Sequence, residues 1–195
     1  MVEQKQILVA CIGNIFLGDD AFGVHVAQRL MECNFPSSVK IGDFGIRGLD
    51  LVHALVQNWD AAILVDAVPH GKKPGSLYII EPEMPDLPDA APQENLMQGH
   101  SMDPVKVLQM VREMGGTVGR ILLVGCEPTP INPEGEMQME LSPRVAAAIE
   151  PAVRAIGALI ADIMSDSEFP IVQVQNIQRH SELFGDRFGG TARAN

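Results

Sequence analysis

Short apolar runs alternate along the chain with segments whose apolar residues recur every three or four positions. The run at residues 7–12 (ILVACI) is bounded by Gly13, and a continuous apolar run of this length predicts a strand that is buried on both faces. The following segment, DAFGVHVAQRLMEC (20–33), has helical periodicity, with Asp20 at or near the N-cap. The chain therefore begins with a strand and a helix, joined by the glycine-containing loop GNIFLGDD (13–20).

The same alternation continues to about residue 164. Four further strands are predicted at VKIGDF (39–44), AAILVDAV (61–68), SLYII (76–80) and RILLVGCEP (120–128). The short connection before SLYII predicts an antiparallel strand there. Helices are predicted at 45–59, with one face formed by Leu49, Val52, Leu55 and Val56, at 102–115, and at 142–164, where Pro151 predicts a kink or break.

This order of strands and helices predicts an α/β fold. We expect a three-layer sandwich whose twisted, mostly parallel five-stranded sheet carries helices on both faces. Residues 1–164 are expected to form a single domain, because 195 residues suffice for one well-buried core. Residues 82–99 contain four prolines and predict a long loop, and the polar residues 165–195 predict a flexible tail.

Composition narrows the classes of partner. The chain has 14 basic and 25 acidic residues and a net charge of −11, which argues against binding to nucleic acid or to an anionic membrane surface. Its three cysteines form no CxxC pair, and Cys11 and Cys126 are expected to be buried strand residues. No stretch approaches the ~20 apolar residues of a membrane helix. We therefore expect a soluble cytoplasmic protein.

Three acids are predicted at the carboxyl ends of strands, where parallel α/β sheets bind ligands. Asp20 closes the loop after the first strand, Asp43 ends the second, and Asp66 ends the third. Asp20 can equally be a simple helix cap, and Asp43 can belong to a turn. Asp66 follows AAILV near the buried centre of the sheet edge, where an ionised carboxylate needs a cation or several hydrogen-bond donors.

One histidine is placed to join these acids. His100 ends the proline-rich loop shortly before a predicted helix, so the loop can bring it over the sheet edge. Asp20, Asp66 and His100 would form an oxygen and nitrogen ligand set suited to Zn, Ni, Fe or Co. A nucleotide-binding module is the less favoured interpretation, because GNIFLGDD lacks GxGxxG and the Lys-Ser/Thr of a P-loop and its acids would repel phosphate.

The residues also resemble a known family. ILVACIGNIFLGDDAFGVHVAQRL (7–30) is similar to the N-terminal signature of the [NiFe]-hydrogenase maturation endopeptidases, roughly G-x-G-N-x-L-x-x-D-D/E-x-x-G, with Cys11 in place of the first glycine. Three further stretches agree in order, IGDFGIRGLDLV, AILVDAV and LLVGCEP, and in the first of them Phe44 replaces a glycine. His100, in GHSMDPVKVL, matches the histidine that precedes a helix in that family. The resemblance covers about residues 7–160.

The resemblance implies a cytoplasmic hydrolase that removes a short C-terminal peptide from the nickel-loaded precursor of a hydrogenase large subunit. It implies that Asp20, Asp66 and His100 sense nickel that the substrate supplies rather than a stored metal. It also implies a monomer that docks on one large partner. The alternative is a non-proteolytic metallochaperone that uses the same three residues to check nickel.

The sequence says less about how the peptide bond is cleaved than about which residues bind the metal. There is no Gly-x-Ser-x-Gly, no HExxH and no paired Cys/His arrangement, so serine, cysteine and zincin mechanisms lack support. Metal-polarised attack by water or general base catalysis by a carboxylate remain. Asp43 is the candidate for that base, or for holding the substrate strand.

Overall fold

The computed structural model describes residues 4–81, 104–130 and 139–165. Its strands are β1 (Ile7–Ile12), β2 (Val39–Gly45), β3 (Trp59–Ala67), β4 (Leu77–Ile80) and β5 (Val118–Cys126). Its helices are α1 (Phe22–Met31), α2 (Gly48–Leu55), α3 (Pro104–Glu113), α4 (Pro143–Ala146) and α5 (Ile149–Met164), and a 3-10 turn, Gly18–Ala21, precedes α1. The predicted loop at 82–99, His100 and almost all of the predicted tail lie outside the described residues.

The strands form one five-stranded sheet in the order β2-β1-β3-β5-β4. β1 pairs in parallel with β2 and β3, and β3 pairs in parallel with β5. β4 is antiparallel, as predicted, but its partner is β5 rather than the strand that precedes it in sequence. The four parallel strands therefore end at a common edge, and this edge carries the predicted acids.

Two apolar cores lie on opposite faces of the sheet. Alternate residues of the central strands face each core, which explains why all six residues of β1 are buried and apolar. One core contains residues of α1 and α5 and the other contains residues of α2 and α3. The predicted three-layer α/β sandwich is confirmed, and no helix within the described ranges is long and apolar enough to span a membrane.

The last predicted helix is divided into α4 and α5. Pro151 lies in the first turn of α5, where its missing N–H has no intrahelical partner to lose. In a continuous helix its ring would clash with the carbonyl of Ala147, so the break falls at residues 147–148, earlier than the proline itself. Ser142 caps α4, since its hydroxyl accepts the Val145 N–H at 3.5 Å.

The predicted face of α2 is partly wrong. The helix begins only at Gly48 and ends at Leu55, and it buries Leu51, Val52 and Leu55. Leu49 lies in the open first turn and is 59% exposed. Because the helix packs through residues 51, 52 and 55, Leu49 faces away from the core, at the same edge of the sheet as the acids.

Candidate functional site

Asp20 lies in the 3-10 turn between β1 and α1. The N-cap of α1 is Ala21, and it makes no side-chain cap hydrogen bond. The Asp20 carboxylate instead accepts the backbone N–H of Asn14 at 2.9 Å, which closes the loop upon itself. The alternative that Asp20 is a simple helix cap is therefore wrong, because its carboxylate bonds to the loop before it and not to the helix after it.

Two glycines allow this loop to pack closely against the strand ends. A Cβ on Gly23 would lie 2.0 Å from the Ile12 carbonyl oxygen and 2.6 Å from that of Val65, so only glycine allows α1 to begin there. Gly13 has a φ of +150°, and a Cβ there would lie 2.1 Å from the Asp20 carbonyl oxygen. Backbone packing on both sides of the turn thus limits where Asp20 can lie.

Asp66 is the penultimate residue of β3 and is 8% exposed. The described residues give its carboxylate one hydrogen bond, from the backbone N–H of Ala67 at 2.7 Å. Burial, and then the nearby charge of Asp20, raise the pKa of Asp66 to about 7. Burial also raises the pKa of Asp20, partly offset by the N–H of Asn14. The turn and β3 therefore bring two carboxylates together with few donors to stabilise two negative charges.

Such a pair can hold a proton or a cation. Two carboxylates at close range, one buried and the other half-buried, cannot both ionise without cost, and a bound cation removes that cost. Within the described ranges, no group of three His, Cys, Asp or Glu side chains is arranged to hold a metal ion. The predicted third ligand, His100, lies outside those ranges, so its membership of the set stays a prediction.

Asp43 lies in β2 and pairs in register with Cys11. Its carboxylate accepts the Gly45 N–H at 3.0 Å, and its carbonyl oxygen accepts a hydrogen bond from Arg47 at 2.6 Å. Cys11 is also in register with Val65, so by strand alternation Asp43 and Asp66 belong to opposite faces of the sheet. Asp43 therefore makes local hydrogen bonds, as the turn interpretation predicts. Its role in the reaction stays a prediction.

The cysteines are placed as predicted. Cys11 and Cys126 are free and buried in β1 and β5. Burial, reinforced by the charge of Asp43, raises the pKa of the Cys11 thiol. Burial also raises the pKa of Cys126 to about 12, with smaller contributions from Asp19 and Glu127. Both thiols thus stay protonated at neutral pH, which is the opposite of what a cysteine nucleophile needs.

Asp19, the neighbour of Asp20, bonds to segments far from the turn in which it lies. One carboxylate oxygen accepts the backbone N–H of Thr129 at 2.8 Å, and the other accepts that of Ser142 at 2.6 Å. Burial alone would raise the pKa of Asp19, but these bonds outweigh it and hold the pKa below its usual value. Its partners lie more than 100 residues away along the chain.

Glu127 is a further buried acid at this edge that sequence reasoning missed. It follows β5 directly, is 6% exposed, and accepts the backbone N–H groups of His70 at 2.7 Å and Gly71 at 3.3 Å. Its own N–H donates to the Ser76 carbonyl at 2.9 Å, so it ties the β3–β4 connection to the end of β5. The signal was available, because an acid directly after the apolar run RILLVGC repeats the pattern of Asp66.

Known proteins resemble this chain over most of its length. Residues 24–158 match the family model described as hydrogenase maturation protease. The hydrogenase 2 maturation protease of Escherichia coli K12 is 32% identical over 160 residues, which are 80% of this chain and 92% of that protein. The hydrogenase expression/formation protein HoxM of Azotobacter vinelandii is 33% identical over 158 residues, 80% of this chain and 72% of that protein.

Solved structures give the same result. The hydrogenase maturating endopeptidase HybD from E. coli superposes with a TM-score of 0.65 at 29% identity, covering 80% of this chain and 93% of that one. The [NiFe] hydrogenase maturation protease HycI from Thermococcus kodakarensis superposes with a TM-score of 0.59 at 30% identity, covering 84% of this chain and 95% of that one. The five-stranded fold described above is therefore that of these two proteases.

Proposed function

The chain belongs to the hydrogenase maturation protease family, and from this membership we propose that it cleaves a short C-terminal peptide from the precursor of a [NiFe]-hydrogenase large subunit. The enzyme class follows from the family: it is an endopeptidase. The substrate and the requirement for inserted nickel are the parts that we propose. The observation that carries them is the pair of carboxylates at the edge of the sheet, the half-buried Asp20 and the buried Asp66.

We propose that Asp20, Asp66 and His100 bind the nickel ion that the substrate carries. The pKa of about 7 for Asp66 means that, without a cation, about half of the molecules carry a proton on this carboxylate at pH 7. Nickel bound in the precursor would replace that proton and allow both carboxylates to ionise. A precursor without nickel offers no such gain, so the same pair would distinguish loaded from unloaded substrate.

Asp43 is proposed to act on the peptide rather than on nickel. Hydrolysis needs a base that accepts a proton from the attacking water, and a half-buried carboxylate at the sheet edge can do this. Alternatively, it holds the substrate strand. β2 is an edge strand among the described strands, so an extended peptide could lie along it. Either role keeps Asp43 on the side of the sheet away from Asp66.

A protein substrate also accounts for exposed apolar side chains beside Asp20. The described residues include eight large apolar side chains that are exposed, and five of them lie in the two loops that follow β1 and β2 or in the first turn of α2. The loops are joined by a hydrogen bond from the Gly13 N–H to the Gly45 carbonyl at 3.1 Å. The five residues are Ile15, Phe16, Leu17, Ile46 and Leu49. We propose that the precursor covers them and that the enzyme acts as a cytoplasmic monomer.

The test uses two forms of one precursor. The protein is incubated with nickel-loaded and nickel-free large-subunit precursor, and the mass of each precursor is followed with time. We expect loss of a C-terminal peptide from the loaded form only. Cleavage of both forms at equal rates would refute the role of nickel, and an intact loaded precursor that remains bound would refute proteolysis in favour of a metallochaperone.

A further inference from the structure

Asp19 immediately precedes Asp20 in the chain, but its carboxylate bonds to two distant segments. It is 9% exposed, and its two oxygens accept separate backbone N–H groups, from Thr129 and Ser142. We infer that Asp19 is a positioning residue, which holds the turn that carries Asp20 at the distance from Asp66 that the reaction requires. The inference rests on the proposed function of Asp20 and Asp66.

The turn is shaped by local hydrogen bonds, from the Leu17 N–H to the Asn14 carbonyl oxygen and from the Asp20 N–H to that of Leu17, both at 3.1 Å. It is a 3-10 helix of four residues, Gly18–Ala21, and the residue at its N-cap, Leu17, makes no side-chain cap hydrogen bond. Short 3-10 segments have poor hydrogen-bond geometry and are not stable in isolation. Local bonds do not join the turn to the strands, so the position of Asp20 relative to the sheet depends on tertiary contacts, among them the glycine packing described above and the two bonds of Asp19.

Those two bonds connect the turn to the frame that carries Asp66. Thr129 lies shortly after β5, and β5 pairs with β3 so that Asp66 is in register with Gly125. Ser142 is the N-cap of α4, and the Thr129 hydroxyl donates to the Ser142 hydroxyl oxygen at 3.1 Å. Asp19 thus joins the turn to the end of β5 and to α4 at one point. If its bonds were lost, β3 would keep Asp66 in place while the turn could shift.

The two backbone N–H donors explain why residue 19 is an aspartate. A carboxylate accepts at both oxygens, and each bond is strengthened by the negative charge. Asparagine has one acceptor oxygen, and its NH₂ group would face a backbone N–H, so one donor loses its partner. Asp19→Asn is therefore a nearly isosteric change that removes one of the two bonds and weakens the other.

The experiment separates positioning from stability. Leu55→Ala is the control, because Leu55 is fully buried at the end of α2 farther from the acids and its truncation also lowers the melting temperature. Both variants are assayed on nickel-loaded precursor at a temperature where each is fully folded. A misplaced group lowers turnover by about 10-fold or more, so we expect Asp19→Asn to reduce kcat by that amount and to leave KM within about 2-fold, while Leu55→Ala matches the wild type.

A second readout needs neither substrate nor metal. The Asn14 N–H is bonded to the Asp20 carboxylate, so its hydrogen-exchange rate, measured by NMR, reports where Asp20 lies. We expect Asp19→Asn to speed this exchange by about 10-fold relative to Leu55→Ala. Unchanged exchange with unchanged kcat would overturn the positioning role. If the wild type processes no precursor, the proposed function fails, and the exchange measurement still decides the role of Asp19.

Discussion

Asp19 and Asp66 are the same residue type, lie at the same edge of the sheet, and are buried to the same degree, with 9% and 8% exposure. Their pKa values nevertheless move in opposite directions: that of Asp19 falls below its usual value and that of Asp66 rises to about 7. Asp19 accepts two N–H groups from distant segments, whereas Asp66 accepts one from its own neighbour and faces the charge of Asp20.

The comparison shows that low surface exposure alone does not separate an acid that is satisfied by the protein from one that is left available to a ligand. What distinguishes them here is the supply of donors. An acid whose oxygens are satisfied by the protein has no capacity left for a ligand, and one that lacks donors retains that capacity at a cost in stability. The predictions below test this difference between Asp19 and Asp66, beginning with the largest expected effect.

The first prediction concerns activity. Asp66→Asn should reduce processing of nickel-loaded precursor by about 1000-fold or more, because the pair loses the charge that a cation needs. His100→Ala should abolish processing as well. The conversion of precursor to its shorter form is followed by mass, and Asp50→Asn, an exposed acid on α2, serves as the control that should retain full activity. Processing at the normal rate by either site variant would remove that residue from the site.

The second prediction concerns a substitution that should displace Asp20 from Asp66 without changing any charge. Gly23→Ala should lower the free energy of unfolding by about 3 kcal/mol or more, because the new methyl group meets two backbone carbonyls at the end of β1 and β3. Gly157→Ala is the matched control, since nothing lies within 4 Å of its Cβ and alanine is the better helix former. Urea unfolding that gave equal stabilities for the two variants would contradict the close approach of α1 to the strand ends.

The third prediction uses pH. Because the pKa of Asp66 is raised on folding, its contribution to stability is fully present below about pH 4 and is lost as pH rises through about 7. Asp66→Asn escapes this loss, so it should be more stable than the wild type by roughly 1–3 kcal/mol at pH 8 and by less at pH 5.

Asp19 provides the opposite case for the same measurement. Its lowered pKa stabilises the fold above the unfolded value of about 4, and this contribution is lost as pH falls. Asp19→Asn should therefore be less stable than the wild type by about 1–3 kcal/mol at pH 7. The measurement is urea unfolding at several pH values. If both substitutions changed the free energy of unfolding in the same direction, the proposed difference between Asp19 and Asp66 would be wrong.

The smallest expected effect concerns the exposed apolar residues beside Asp20. The double change Phe16→Ser and Leu49→Ser should raise KM for the precursor by about 3- to 10-fold and leave kcat unchanged, because these side chains contact substrate only in the docked complex. Met31→Ser is the control, since Met31 is 56% exposed at the far end of α1. Equal KM values for all three proteins would show that the precursor docks elsewhere.

Much of the fold and part of the site could be predicted from the sequence. All five strands were predicted, and continuous apolar runs identified β1 and β3, because strands covered on both faces have little polar alternation to obscure them. Asp20 and Asp66 were placed at one edge because parallel strands end together. Pro151 indicated the break between α4 and α5 through a clash that depends only on local geometry.

Only the tertiary structure decided which groups meet. The partners of Asp19 lie 110 and 123 residues away, and β4 pairs with a strand that follows it by nearly 40 residues. Periodicity and capping patterns report the chain over a few turns, and they carry no information on contacts at such separations. The sequence by itself therefore determined the elements and the edge at which the acids gather. The three-dimensional packing determined that Asp19 is satisfied by the protein and that Asp66 is left with capacity for a cation.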